Sequence, residues 1–229
     1  MGKSFLEWVA GVDSEDEDAN GGGGGGGGYS IAPGIVTNNI DALAEGRVQV
    51  RIPVLPAFEL WARLSAIGAG SDRGFIWVPQ IDDEVLVAFA QNDERDAYVL
   101  GGLWNMRDRP PLTLQSDFLI KRVIKTGMAG GLGHEVEFDD AQQSITITSS
   151  TKQKITIDPL QIEIKNTAGT LTIKMDNTSQ TISIEAAAKL ELKAAQIKIE
   201  GVQVELKGAN VNIQATGPCS IQGLPVKIN

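Results

Sequence analysis

Residues 189–216 read KLELKAA QIKIEGV QVELKGA NVNIQAT when divided every seven positions. A seven-residue period is the mark of a coiled coil only when its apolar residues alternate three and four apart, on one helical face. Here they come two apart and then five apart: Leu190 and Leu192, Ile197 and Ile199, Val204 and Leu206, Val211 and Ile213. A spacing of two is the strand period, which places both side chains on the same face of a pleated ribbon. Glu191, Lys198, Glu205 and Asn212 then face water. A small residue, Ala194, Gly201, Gly208 or Ala215, follows each apolar pair by two positions, where a corner needs room. Each heptad therefore reads as one short strand and one turn.

The same figure recurs on both sides. After Gly217 it resumes with Cys219/Ile221 and Val226/Ile228. Upstream it appears as Ile145/Ile147, Ile155/Ile157, Ile162/Ile164, Leu171/Ile173 and Ile182/Ile184. Repetition of one supersecondary unit predicts a stacked β-helix in which each unit buries its face against the next. Such short strands make a thin core for one polypeptide. Two arrangements remain open on pattern alone: a single-chain coil with three heptads per turn, or three copies wound on a common axis. Cys219 sits in an inward slot and reads as a small core residue rather than a nucleophile.

Composition bounds the class of function. The 229 residues carry a net charge of −9, and no apolar run approaches the ~20 residues of a membrane-spanning helix. The N-terminus lacks a signal-peptide core. Residues 1–20 form an acidic peptide whose SFLEWV start has a helical apolar side, with Phe5, Leu6 and Trp8 as candidate docking residues. Residues 21–30 contain eight consecutive glycines, Gly21 to Gly28, a composition expected of a flexible tether.

Residues 31–108 show a different rhythm. GIVTNN, GRVQVRIP, ELWARLSA, RGFIWVP, DEVLVAFA and AYVLGGLW are short apolar or alternating runs separated by Gly, Pro, Asp or Asn. They predict a small antiparallel barrel of the OB type. Such barrels can bind oligonucleotides, but Arg47, Arg51, Arg63 and Arg73 are scattered and form no basic groove. Trp61, Trp77 and Trp104 are expected to pack the barrel rather than stack bases. Residues 109–134 read as a connector and 135–229 as the β-helix.

Several strings resemble one known family. GRVQVRIPVLP, WARLSAIGAG, GFIWVPQIDDEVLVAF and YVLGGLWNMRDRPP are similar to the OB-fold of phage baseplate assembly protein V, the central spike of contractile tails. That family is related to the valine-glycine-repeat spikes of type VI secretion. GHEVEFDD at Gly133–Asp140 resembles the start of the family's spike, and SIQGLPVKIN its tip. Gln80 and Asp82 depart from the family's usual Glu and Gly before the Asp-Glu pair.

The resemblance implies an all-β homotrimer: three barrels forming a collar, followed by an intertwined triple-stranded β-helix that punctures a membrane mechanically. About a dozen stacked strands per chain at ~4.8 Å would give a needle on the order of 55–60 Å long. The expected trimer core is Leu190, Leu192, Ile197, Ile199, Val204, Leu206, Val211, Ile213, Ile221, Val226 and Ile228, and the expected tip Pro225, Val226, Lys227, Ile228 and Asn229. Expected partners are further copies of the chain, a baseplate hub protein, a PAAR-type tip protein and the target membrane; nucleic acid is not among them. The expected setting is a virion tail baseplate or an equivalent injection particle, synthesised in the bacterial cytoplasm. The lack of a large hub-like domain before the barrel favours the phage-type arrangement, in which the hub is expected to be a separate protein.

No enzymatic activity, cofactor or metal is expected. Paired carboxylates, a serine–histidine arrangement and the Lys and Ser/Thr of a phosphate loop do not stand out. His134 is the only histidine and lies at the proximal end of the repeat region, remote from any apex. Two rival readings are a carbohydrate-binding fibre with a β-helix stalk and a polysaccharide-active enzyme. Aromatic residues would favour the fibre, and none follows Phe138; the enzyme would need clustered acids, whereas these alternate with lysines.

Overall fold

A computed structural model describes residues 31–54, 59–93, 95–127 and 133–227. The candidate docking residues Phe5, Leu6 and Trp8, the glycine run and the distal residues Ile228 and Asn229 lie outside the described residues.

The first unit is a closed barrel with strand order β1-β2-β3-β7-β6. β1 (Ile31–Asn38) pairs antiparallel with both β2 (Arg47–Arg51) and β6 (Glu84–Phe89). β2 pairs with β3 (Glu59–Leu64), and β6 with β7 (Ala97–Gly102), again antiparallel. A parallel contact between β3 and β7, Arg63 opposite Tyr98, closes the ring. Closure leaves no sheet edge unpaired within the barrel.

Alternation in the sequence becomes inside and outside here. Val36, Val48, Val50, Ile52, Val85 and Val87 are fully buried, and Leu60, Phe89 and Val99 complete the interior. The loop from β1 to β2 is held by Asp41, whose carboxylate accepts from the backbone N–H groups of Leu43, Glu45 and Arg47 and from the Arg47 guanidinium. Burial works against ionisation of Asp41, but these hydrogen bonds prevail and bring its pKa down to about 2.

Two expectations for the barrel are corrected. RGFIWVP is not a barrel strand: only Arg73–Gly74 (β5) pairs, with Ala69–Gly70 (β4), in a two-residue arm outside the ring. Gly74 holds φ +144°, where a Cβ would stand 2.5 Å from the Gly68 carbonyl oxygen, so the arm turns only with glycine. Second, Trp61, Trp77 and Trp104 do not pack the interior. They are 37, 48 and 71% exposed. Strand alternation points Trp61 outward between buried Leu60 and Ala62, and the Arg47 guanidinium lies over its ring at 5.8 Å. Small aliphatics already fill the barrel.

The second unit is a seven-stranded antiparallel meander. A short turn of helix, α1 (Asp117–Ile120), leads into β8 (Lys121–Lys125), followed by β9 (Glu135–Asp139), β10 (Ser144–Thr148), β11 (Lys154–Ile157), β12 (Gln161–Lys165), β13 (Leu171–Asp176) and β14 (Thr181–Ala186). The sheet thus begins at Lys121, inside the stretch expected to be connector. Lys121 is drawn in by Glu137 at 3.3 Å and by the buried Asp139 at 3.5 Å, ionic contacts that an aliphatic repeat pattern does not reveal. From Ala187 to Lys227 the chain forms no strand with itself.

A direct check on the barrel core is Ile52→Ala, which opens a cavity at a fully buried site. It should cost about 2–5 kcal/mol in denaturant unfolding followed by tryptophan fluorescence.

Candidate assembly interface

The candidate site is a surface, and its construction starts with the turns of the meander. Five turns link β9 to β14, and a short polar side chain opens each. Asp139 Oδ1 accepts from Gln142 N–H, Ser149 Oγ from Gln153 N–H, Asp158 Oδ1 from Leu160 and Gln161 N–H, Asn166 Oδ1 from Thr170 and Leu171 N–H, and Asp176 Oδ1 from Thr178 and Ser179 N–H. Such side chains mimic a backbone turn and fix hairpin register locally. In four of these turns one residue takes the left-handed conformation: Gln143, Lys152, Gly169 and Gln180. The Asp176 pKa falls to about 2, first through the Ser179 backbone hydrogen bond and then through Lys174 and the Ser179 hydroxyl.

Register follows from those turns and sorts the two faces. Directly opposed residues form one column across the sheet: Ile124, Val136, Ile147, Ile155, Ile164, Ile173 and Ile184. A second column on the same face runs Arg122, Phe138, Ile145, Ile157, Ile162, Met175 and Ile182. The other face carries Val123, Glu137, Thr146, Thr156, Glu163, Lys174 and Ser183. Lys125–Glu135 at 2.7 Å and Lys121–Glu137 at 3.3 Å bridge strands on that polar face.

Among the described residues nothing covers the aliphatic face. Ile147, Ile164, Ile173 and Ile184 are 42–51% exposed, and no described aliphatic residue of the sheet is buried. At such exposures the two columns leave on the order of 800–1,000 Å² of apolar surface open, the area one partner contributes to a stable protein–protein interface.

Beyond the sheet, the heptads keep a regular backbone. Bends fall at Ala195, Val202, Ala209 and Thr216, seven residues apart. Gly201 and Gly208 have matching surroundings, with the next Gln203 or Asn210 carbonyl oxygen 3.2 Å and the Val204 or Val211 methyl 3.7 Å from a notional Cβ. Lys189–Glu191, Lys198–Glu200 and Lys207–Glu205 pair two residues apart, which requires both side chains on one side of an extended strand. The alternate residues Leu190, Leu192, Ile197, Ile199, Val204, Leu206, Val211, Ile213, Ile221 and Val226 are all 49–71% exposed. Cys219, expected inside, is likewise exposed in the single chain, as are Pro225 and Lys227.

Sequence reasoning located the aliphatic pairs but missed the turn caps. Asp or Asn one to three positions after an apolar pair, as at Asp158, Asn166 and Asp176, was the available signal, and Ser149 is its hydroxyl counterpart.

Two other regions gather aromatic or polar side chains. A groove of about 1030 Å³ lies between the β4–β5 arm and residues 101–109, beside a stacked Phe75–Trp77 pair with ring centroids 5.9 Å apart. His134 serves the β8–β9 connection: its N–H donates to Thr126 Oγ1 at 2.8 Å, and its ring Nδ1 accepts from Ser150 N–H. Among the described residues no group of three or more His, Cys, Asp or Glu side chains is placed to hold a metal ion. No described helix is long and apolar enough to cross a membrane.

Comparison with known proteins places the barrel. Residues 32–104 match the family described as the type VI secretion system/phage-baseplate injector OB domain. The chain is 36% identical over 81 residues to the actin cross-linking toxin VgrG1 of Vibrio cholerae, a match spanning 35% of this chain and 7% of that protein. It is 27% identical over 86 residues to each of the type VI secretion system spike proteins VgrG2a and VgrG2b of Pseudomonas aeruginosa, 38% of this chain and 10% and 8% of theirs. The matched stretch is thus a tenth or less of each relative, and in the toxin it is confined to the OB domain. The barrel is similar to the injector OB domain of that family and to the matched stretch of the VgrG spike proteins.

Acid should loosen the turns. Asp176 and Asp41 have folded pKa values of about 2 against an ordinary 3.8. Their stabilisation is therefore complete above that ordinary value and is lost as the pH falls from about 4 through about 2. Circular dichroism melts across that range should show Tm falling, and Asp176→Asn should flatten part of the fall.

Proposed function

We propose that this chain, with its injector OB barrel, is the structural central spike of a contractile injection machine. Its barrels form a collar on a baseplate hub, and its repeats form the needle that meets the target envelope. The observation that carries this reading is the order of the two units: an injector-type barrel followed by a sheet whose own chain leaves its aliphatic face uncovered.

Three copies are the number that the family resemblance implies, and the geometry supports it. Three amphipathic sheets with isoleucine columns turned inward close a triangular prism, and their Lys and Glu faces remain in water. A single-chain coil with three heptads per turn would instead pair each residue with the one 21 positions on. Among the described residues no such pairing is made between Ala187 and Lys227.

The mechanism is mechanical rather than catalytic. Sheath contraction pushes a tube, and the needle at its head transmits the load because each layer is joined to the next by backbone hydrogen bonds. The collar anchors the trimer to the hub. A PAAR-type protein at the distal end and the target membrane, breached by force, complete the set of proposed partners. The place of action is the tail baseplate of a virion or an equivalent extracellular particle.

The decisive measurement is native mass by light scattering with mass spectrometry. A value near three times the 24.4 kDa chain mass is expected, and 24.4 kDa itself would overturn the trimeric needle. Ile164→Asp combined with Ile173→Asp sets two charges side by side in one column. That variant should shift the mass toward the single chain while the barrel's far-ultraviolet signature persists.

A further inference from the structure

We infer that the apolar groove at one end of the barrel is the docking site of the chain's own N-terminal segment, with Phe5, Leu6 and Trp8 seated against Phe75, Trp77 and Trp104. The inference goes beyond the assembly reading and does not depend on it.

Strand ends build the groove. β1, β3 and β7 finish there, at Asn38, Leu64 and Gly102, and β2 and β6 begin there, at Arg47 and Glu84. The β4–β5 arm forms one wall and residues 101–109 the other, around a volume of about 1030 Å³. Its lining joins the stacked Phe75 and Trp77 to Ile67, Ile76 and Trp104, all strongly exposed. Closing the barrel does not cover these side chains, because the arm stands outside the ring. A buried aromatic side chain removes roughly 150–250 Å² from water. An occupant with two aromatics and a leucine therefore suits a groove of this size and lining.

The chain supplies one. Residues 1–30 lie outside the described residues and end at Ile31, the first residue of β1. Ile31 pairs with Ala88 and Ile35 with Glu84, a groove residue. The groove thus begins four residues along β1, about 13 Å from the point where that segment joins. Ala10 to Ser30 separate Val9 from Ile31, and Gly21 to Gly28 are all glycine. A glycine-rich chain of that length has a root-mean-square span of about 25 Å, which covers the distance without stretching. Linkers of matching span hold their ends at effective concentrations in the millimolar range. A separate protein would need a similar concentration to compete.

Charge agrees. An acidic run, Asp13 to Asp18, begins four residues beyond Val9. Of the groove's acids, Glu45 and Asp108 pair with Arg47 and Arg107, Asp83 accepts from Gln80 N–H and Glu84 from Asn105 Nδ2. Among the described residues that leaves Asp72 alone without a partner, against two arginines of the lining, Arg73 and Arg109, that form no ion pair and are open to the acidic run.

The test uses the full chain with Trp8 replaced by photoreactive benzoylphenylalanine. Illumination is expected to link position 8 to residues 64–77 or 101–109, in a product of single-chain mass under denaturing conditions. Links to the meander or to the outer barrel strands would overturn the inference. So would no link at all, or a product of two-chain mass joined at the groove of a second copy. Hydroxyl-radical footprinting without the photoreactive group reads the contact from the groove side. Trp77 and Trp104 should oxidise several-fold faster in a chain carrying Phe5→Ser, Leu6→Ser and Trp8→Ser than in the natural chain. Buried Phe89 should stay protected in both, since no substituted residue belongs to the barrel. Equal rates at Trp77 and Trp104 would overturn the inference.

Discussion

Every backbone N–H and C=O must find a partner or stay in water, and in this chain that requirement is met in three ways. The barrel satisfies it by closing on itself, with the parallel contact between β3 and β7 sealing the last edge. The meander satisfies it from strand to strand but leaves one face bare. The heptads form no backbone–backbone hydrogen bond among the described residues. Among the described residues, backbone pairing within the chain therefore declines along the sequence, from a closed barrel to a segment that forms no strand with itself. The hydrophobic effect follows the same gradient, since among the described residues every buried aliphatic lies in the barrel.

That gradient explains what the sequence disclosed. The barrel was legible because its interior is built from strict alternation in GRVQV, ELWAR and EVLVAF, where one face of each strand is buried. Phe75, Ile76 and Trp77 misled for the opposite reason. They are as apolar as a strand, but they belong to an arm outside the ring, where exposure cannot be deduced from hydrophobicity. The tryptophans misled likewise: Trp61 sits at the outward phase of β3, and its indole is engaged by Arg47 rather than by the core.

In the repeats, the aliphatic pairs were plain from spacing alone, and they mark the columns of the uncovered face. What spacing hid was the direction of the chain between them. Ile157 and Ile162 are five apart and face one another across a hairpin, yet Leu192 and Ile197 are also five apart and do not. The difference lies in Asp158, Pro159 and Leu160 against Lys193, Ala194 and Ala195. A period identifies the repeat, but the residue at the corner determines whether the chain reverses. The start of the sheet at Lys121 was hidden for a related reason, because ion pairs to Glu137 and Asp139 hold that strand in place.

The meander's strands lie across the direction in which they stack, so its hydrogen bonds point along the stack. Such a body has unequal strength in the two senses of load. Drawn by the end of its chain, it yields like a zip, because the terminal strand peels off bond by bond before the next strand is loaded. Pressed lengthwise, every rung is shortened together and the burden is distributed over all of them. A body so made is a strut and a poor rope: it bears pressing along its stack and gives way when its end strand is drawn off.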